Sequence, residues 1–190
     1  MMAISIIALR HAPTLWNRQR RIQGRTDVDL DEAGILDTKH WYLSDEDRAR
    51  EWYSSPLSRC RQTGTALGLV MTSSDALIEM DWGQWEGESL ADLRENSPKD
   101  MAANEALGLD FRPEGGESPR EVQARLKPFM ATITDAGRDV GLLTHKGVIR
   151  ALVAEATGWD MKNEPPVRLT NGVETRFVLE GGVLELEPTR

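Results

Sequence analysis

The chain predicts an α/β fold in three layers, a mostly parallel central sheet with helices on both faces. Three observations carry that expectation. Short apolar runs alternate with helical patterns along most of the 190 residues. The run Ile4-Ser5-Ile6-Ile7-Ala8 leads directly into Arg10-His11, and Gly141-Leu142-Leu143-Thr144 leads directly into His145. In open α/β sheets the C-terminal ends of strands are where ligands bind, so two histidines at two strand ends, with one other in the chain, point to a single site built from distant segments.

Taken in order, the first strand is expected over Ala3 to Leu9. A polar loop follows to about Asp31, then a short helix through Trp41. Glu51 to Ser55 reads as a second strand broken by Pro56, and Ser58 to Leu69 as a helix with Gly68 near its end. Ser74 to Ile78 reads as a short third strand. The stretch 83–117 is polar and punctuated by Gly, Asn and Pro, with a helix near Leu90 to Asn96. It is expected to be a lid-like insertion, because neither side of it makes a complete α/β unit alone. Residues 1–190 are therefore read as one domain, long enough to bury a real core. Ser118-Pro119-Arg120-Glu121 is a helix start with a capping-box pair and proline at the first helical position. Val122, Leu126, Phe129, Met130 and Ile133 give that helix an apolar face, which Pro128 should bend. Val140 to Thr144 is the next strand, and Val148 to Thr157 a helix stopped by Gly158. The alternation Val173, Thr175, Phe177, Leu179, then Gly181-Gly182, then Val183, Leu184, Leu186 predicts a hairpin at the sheet edge.

Net charge is −8, which disfavours nucleic acid and anionic membrane as partners. Even so, Arg10, Arg18, Arg20, Arg21 and Arg25 crowd the segment after the first strand, and Arg59 and Arg61 follow the second. An acidic chain that gathers arginines beside a candidate nucleophile suits a small anionic substrate. For Arg18, Arg20 and Arg21, a solvated basic loop and substrate contact stay equally open. The lone Cys60 makes no internal disulfide, and no apolar run reaches the roughly 20 residues a bilayer requires. Met1-Met2-Ala3 carries no basic leader, so a cytoplasmic location is expected. No sequence feature speaks to oligomeric state.

Six blocks, in order, give the chain its resemblance to a known family. They are Arg10-His11-Ala12-Pro13-Thr14-Leu15-Trp16-Asn17; Gln23-Gly24 with Asp27, Leu30 and Gly34; Ser54-Ser55-Pro56-Leu57-Ser58-Arg59 with Gln62-Thr63; Leu77-Ile78-Glu79 with Gly83, Trp85, Glu86 and Gly87; Gly115-Gly116-Glu117-Ser118; and His145-Lys146-Gly147-Val148-Ile149-Arg150. Together they resemble the histidine phosphatase superfamily, the phosphoglycerate mutase-like proteins. The Arg-His-Ala-Pro-Thr opening is similar to its alpha-ribazole phosphatase-like subgroup.

That resemblance implies a phosphoglycerate mutase-like fold and a phosphomonoesterase acting on a small phosphorylated metabolite. His11 would be the nucleophile that forms a phosphohistidine, chemistry open to a neutral imidazole. Arg10 and Arg59 would grip the phosphoryl oxygens bidentately, and His145, protonated with phosphate bound, would add a third positive donor. Asn17 would supply a neutral donor, with Gln23 and Gly24 also at the substrate. Glu79 would protonate the leaving oxygen if burial raises its pKa, and Asp81, two residues on, is its rival. His40, Trp16, Trp82 and Trp85 read as structural, and Thr14 equally as a turn residue or a phosphate contact. Cys60 is no cysteine-phosphatase nucleophile, since position 66 is alanine. No metal-ligand cluster and no P-loop appears, so neither metal nor cofactor is expected.

Four departures qualify the resemblance. Ala12 and Pro13 stand where the family has Gly and Glu, Asp29 where it has proline, and Lys146 where it has a second Gly. Lys146, if it points inward, suits a substrate with a second anionic group. The short middle segment favours a phosphatase over a mutase. A mutase-type phosphoryl transferase and a phosphate-ester-binding protein without catalysis are the alternatives.

Overall fold

The computed structural model describes residues 3–188; the N-terminal expectation resting on Met1 and Met2 lies outside them. β1 (Ile4–Arg10) runs through the centre, with Ile6, Ile7, Ala8 and Leu9 all buried. Burial on both faces demands pairing on both edges and cover on both sides. β4 (Val140–Thr144) supplies one edge in parallel, with Ile6 opposite Val140 and Arg10 opposite Thr144. β5 (Thr175–Glu180) supplies the other, antiparallel, with Ile6 opposite Phe177. β2 (Glu51–Ser54) pairs in parallel with β4, β3 (Met71–Ser73) with β2, and β6 (Val183–Leu186) closes the far side against β5. The order β3-β2-β4-β1-β5-β6 is four parallel strands extended by an antiparallel hairpin, the mostly parallel sheet and edge hairpin expected.

Alternate residues of β1 serve opposite cores. Ile4, Ile6 and Ala8 pack with Val140 and Leu142, with Val122, Leu126 and Ile133 of α7 (Pro119–Ala136), and with Val148, Ile149 and Leu152 of α8 (Lys146–Thr157). Ile7 and Leu9 pack with Leu143, Trp52 and Leu43, and with Cys60 and Leu67 of α4 (Ser58–Leu67). Three layers result. α7 starts at the Ser118–Glu121 capping box and stops at Gly137, whose φ of +63° suits glycine.

Several boundaries differ from expectation. The third strand is not Ser74 to Ile78: β3 ends at Ser73, and Asp75–Leu77 is a 3₁₀ turn. The apolar Ala76-Leu77-Ile78 run misled, because its burial comes from Leu77 dropping into the α7/α8 core and not from strand pairing. The helix expected through Trp41 is split into α2 (Glu32–Asp37), capped by Asp31, and a 3₁₀ turn over Thr38–His40. α4 ends at Leu67, with Gly68 in the left-handed region. α5 (Leu90–Asn96) lies where expected, whereas α1 (Leu15–Arg18), α3 (Asp45–Arg48) and α6 (Pro98–Glu105) were not anticipated. α7 runs through Pro128 as one element. Among the described residues no helix is long and apolar enough to cross a membrane.

Candidate active site

Parallel pairing of β1 with β4 brings the two strand-end histidines together. The His11 N–H donates to the Thr144 carbonyl at 3.0 Å, one step past the strand, and the two imidazole centroids lie 5.1 Å apart. Ser55 leaves β2 at the same level, its N–H donating to the Leu143 carbonyl at 3.0 Å.

The hydrogen bonds assign a tautomer to each ring. His11 Nδ1 sits 2.7 Å from the Ala12 carbonyl oxygen. A carbonyl only accepts, so Nδ1 carries the proton and Nε2 keeps its lone pair. Burial holds this imidazole well below the ordinary histidine pKa, and Arg10 and Arg59 push the same way, so the ring is neutral. The Ala12 N–H donates to Thr63 Oγ1 at 2.9 Å, which anchors the residue whose carbonyl orients the ring.

His145 has the opposite arrangement. The Arg59 Nε–H points at its Nδ1 (3.3 Å), and its Nε2 lies 2.7 Å from Ser55 Oγ. A guanidinium only donates, so Nδ1 is the bare nitrogen and Nε2–H donates to the serine. Burial, then repulsion from Arg59, keeps this ring neutral too.

Arg59 is wholly buried at the start of α4. Its Nη atoms donate to the carbonyls of Thr26 (2.9 Å) and Gly24 (2.7 Å). The N-terminus of α4 lacks a side-chain cap of its own. The Asp27 carboxylate serves instead, accepting from Ser58 N (2.7 Å) and Ser58 Oγ (2.9 Å). Gly24, at φ +52°, abuts the Glu86 carboxylate, leaving no room for a Cβ. Arg10 reaches only Asn171 Oδ1, at 3.3 Å, and its Nε is buried without a partner. Neither Arg10 nor Arg59 makes an ion pair among the described residues. Two guanidiniums taken from water without a counter-ion form a site that an anion would complete.

Glu79 is the carboxyl among them, 9% exposed. Burial pushes its pKa up, opposed first by the hydrogen bond from Met80 N (2.8 Å) and then by Arg59. Its second oxygen accepts from Gly147 N at 3.3 Å, at the positive end of α8. A Cβ at position 147 would lie 2.4 Å from Glu79 Oε1, so a larger residue there would displace the carboxylate. Arg125 clamps the strap that carries Glu79: it donates to the carbonyls of Ala76 and Ile78 and pairs with Glu117, whose Oε2 accepts from Asp81 N. Asp81 itself faces outward, holding Gly83 N (2.8 Å) and pairing with Arg25 (3.5 Å).

Arg10, His11, Asn17, Gln23, Gly24, Arg59 and Glu79 line one cavity of about 550 Å³. His145 lies beneath its wall, fully buried. Asn17 Oδ1 accepts from Thr14 N at 3.0 Å, which leaves its NH₂ as the free end, and the Thr14 hydroxyl donates to Gln23 Oε1 at 3.0 Å. Of the loop arginines only Arg21 reaches the cavity; Arg18 pairs with Asp31, and Arg25 with Asp81 and Glu117. Leu90, Arg94, Glu105, Gly108 and Phe111 of the 83–117 segment complete the wall. Ser55 and Arg150 stood in the motif blocks without a role of their own, and Arg94, Arg125 and Lys162 were not singled out from the sequence. Ser55 had the same strand-end signal as the histidines, and Arg150 lies four residues from Lys146, on the same helical face. No group of three or more His, Cys, Asp or Glu that could hold a metal ion occurs among the described residues.

Comparison with known proteins gives the family. The model of the histidine phosphatase superfamily (branch 1) matches residues 6–188. Phosphoserine phosphatase 1 of Hydrogenobacter thermophilus is 31% identical over 83% of this chain and 78% of its own length. Phosphoglycerate mutase-like protein 4 of Arabidopsis thaliana is 30% identical over 97% of this chain and 87% of its own. The solved structure of a mycobacterial glucosyl-3-phosphoglycerate phosphatase superposes with a TM-score of 0.81, at 27% identity and 98% of both chains.

Proposed function

This chain belongs to the histidine phosphatase superfamily, and from that premise we propose that it is a metal-independent phosphomonoesterase working through a phosphohistidine at His11. One observation carries the reading. A neutral imidazole with its Nε2 lone pair free sits beside the Arg10 and Arg59 guanidiniums, which make no ion pair among the described residues. Such a pocket binds a phosphoryl dianion and offers it a nucleophile. His11 Nε2 attacks phosphorus, the ester oxygen departs with the bonding pair, and Glu79 gives it a proton. Water then attacks the phosphohistidine. Glu79, now a carboxylate, takes the water's proton, inorganic phosphate leaves, and the imidazole is restored. His145, neutral between the Arg59 Nε–H and Ser55 Oγ, holds the Arg59 guanidinium in place beneath the pocket.

Two relatives are phosphatases by name, and the named substrates are small phosphate esters. The mutase-like relative keeps phosphoryl transfer between esters as the second reading. Purified protein should release inorganic phosphate from p-nitrophenyl phosphate, and His11→Ala should lower kcat at least about a thousandfold. A His11→Ala variant as active as wild type would remove the nucleophile assignment. With 3-phosphoglycerate, isomerisation dependent on a bisphosphate primer, in place of phosphate release, would favour the mutase.

A further inference from the structure

The cavity holds more positive charge than one phosphoryl group accounts for. Seven Arg and Lys side chains line it against two carboxylates, Glu79 and Glu105, in a protein whose net charge is −8. Arg94 is neutralised by Glu105, with Nε and Nη2 both on Oε1 at 2.9 and 2.6 Å. A phosphoryl dianion matches Arg10 and Arg59. Arg21, Lys146, Arg150 and Lys162 remain, and of these Lys146 and Arg150 lie four residues apart on the same face of α8, where like charges repel. Neither makes an ion pair among the described residues. Arg150 is half-buried, and its guanidinium lies 4.7 Å from the Trp159 ring centroid, a contact that orients the cation without neutralising it. Lys146 is solvent-exposed at the rim of the cavity, where partial desolvation, then Arg10 and Arg150, lowers the pKa of its ammonium. The family resemblance places glycine at 146, so this cation is a feature of the present chain.

We propose that Lys146 and Arg150 form a second anion-binding position beside the phosphoryl pocket, selecting phosphate esters whose leaving group carries its own negative charge. The inference rests on the phosphatase reading and names its substrate class. The leaving group lies along the α8 side of the cavity, with its carboxylate or second phosphate between the ammonium and the guanidinium. Trp82 and Phe111, which also line the cavity, give its carbon skeleton an apolar wall.

The test uses matched pairs of ω-carboxyalkyl and ω-hydroxyalkyl phosphates with one to four methylenes. At the best spacer, wild-type kcat/KM should favour the carboxylate at least about tenfold, the worth of one charge-assisted hydrogen bond. Lys146→Gln should bring that ratio to within about threefold of unity, and Lys146→Arg should keep most of it. A wild-type ratio near one at every spacer overturns the proposal, as does a ratio unchanged in both Lys146→Gln and Arg150→Gln. Turnover of the hydroxyalkyl esters reports separately on the phosphatase reading. If no ester is hydrolysed, calorimetric binding of the same pairs decides: a carboxylate preference lost in Lys146→Gln supports the second site, and equal affinities reject it.

Discussion

At the scale of single residues, the site works by placing titratable groups against their solution habits. In the proposed mechanism His11 must be neutral to attack, and its depressed pKa keeps it so to pH values below the ordinary 6.5. Glu79 must hold a proton to give one, and burial raises its pKa from 4.5. The signs fix the profile. Activity falls on the acid side as His11 protonates and on the alkaline side as Glu79 ionises. For an alkyl phosphate, Glu79→Gln should lower kcat/KM by about 10²–10⁴ and flatten the alkaline limb. The loss should be much smaller for p-nitrophenyl phosphate, whose phenolate leaves without a proton. Equal losses on both esters, with the alkaline limb intact, would remove Glu79 from the acid's role. Sequence motifs brought forward the residues at the centre of the cavity. They did not bring forward Arg125 behind the Glu79 strap, nor the role of Ser55 under His145, because supporting contacts depend on three-dimensional approach and leave no local pattern.

At the scale of elements, legibility follows burial. β1 and β4 are fully enclosed, so their apolar runs announced them, and their register alone sets His11 beside His145. β3 is a three-residue edge strand with two exposed positions, and Val70 just before it is 94% exposed. Its pairing needs almost no apolar pattern, so it was misplaced. α6 was missed although Ser97-Pro98 repeats the Ser-Pro start of Ser118-Pro119. α7 gives the most direct test at this scale. Pro128 sits inside an 18-residue helix on its exposed side, lacking the N–H that would reach back one turn. Packing of Val122, Leu126 and Ile133 outweighs the proline's intrinsic penalty of about 3 kcal/mol. Pro128→Ala should therefore stabilise the protein by about 1–3 kcal/mol in urea unfolding, part of the gain being returned through a freer unfolded chain. A destabilised variant would mean that the proline's ring packing or kink is needed.

For the whole molecule, the sheet and its two cores supply the stability that the site spends. A protein of net charge −8 keeps Arg59 close enough to Arg10 to lower its pKa, and among the described residues neither makes an ion pair, Glu79 being the nearby carboxyl that opposes the shift in both. Burial lowers the pKa of both, and an orphaned Arg10 Nε marks where the stress is greatest. Removing that charge should help the fold and harm the function. In phosphate-free buffer Arg10→Met should be more stable than wild type by about 1–2 kcal/mol, a few degrees in Tm for a chain of this length. Addition of phosphate or vanadate at a hundred times its Kd should stabilise wild type by about 2.7 kcal/mol, which is roughly 5–11 °C. Arg10→Met should lose most of that rise along with turnover. If the variant were instead less stable without anion and kept the full phosphate shift, Arg10 would be a structural residue of the β1 terminus, and the phosphoryl grip would fall to Arg59 alone.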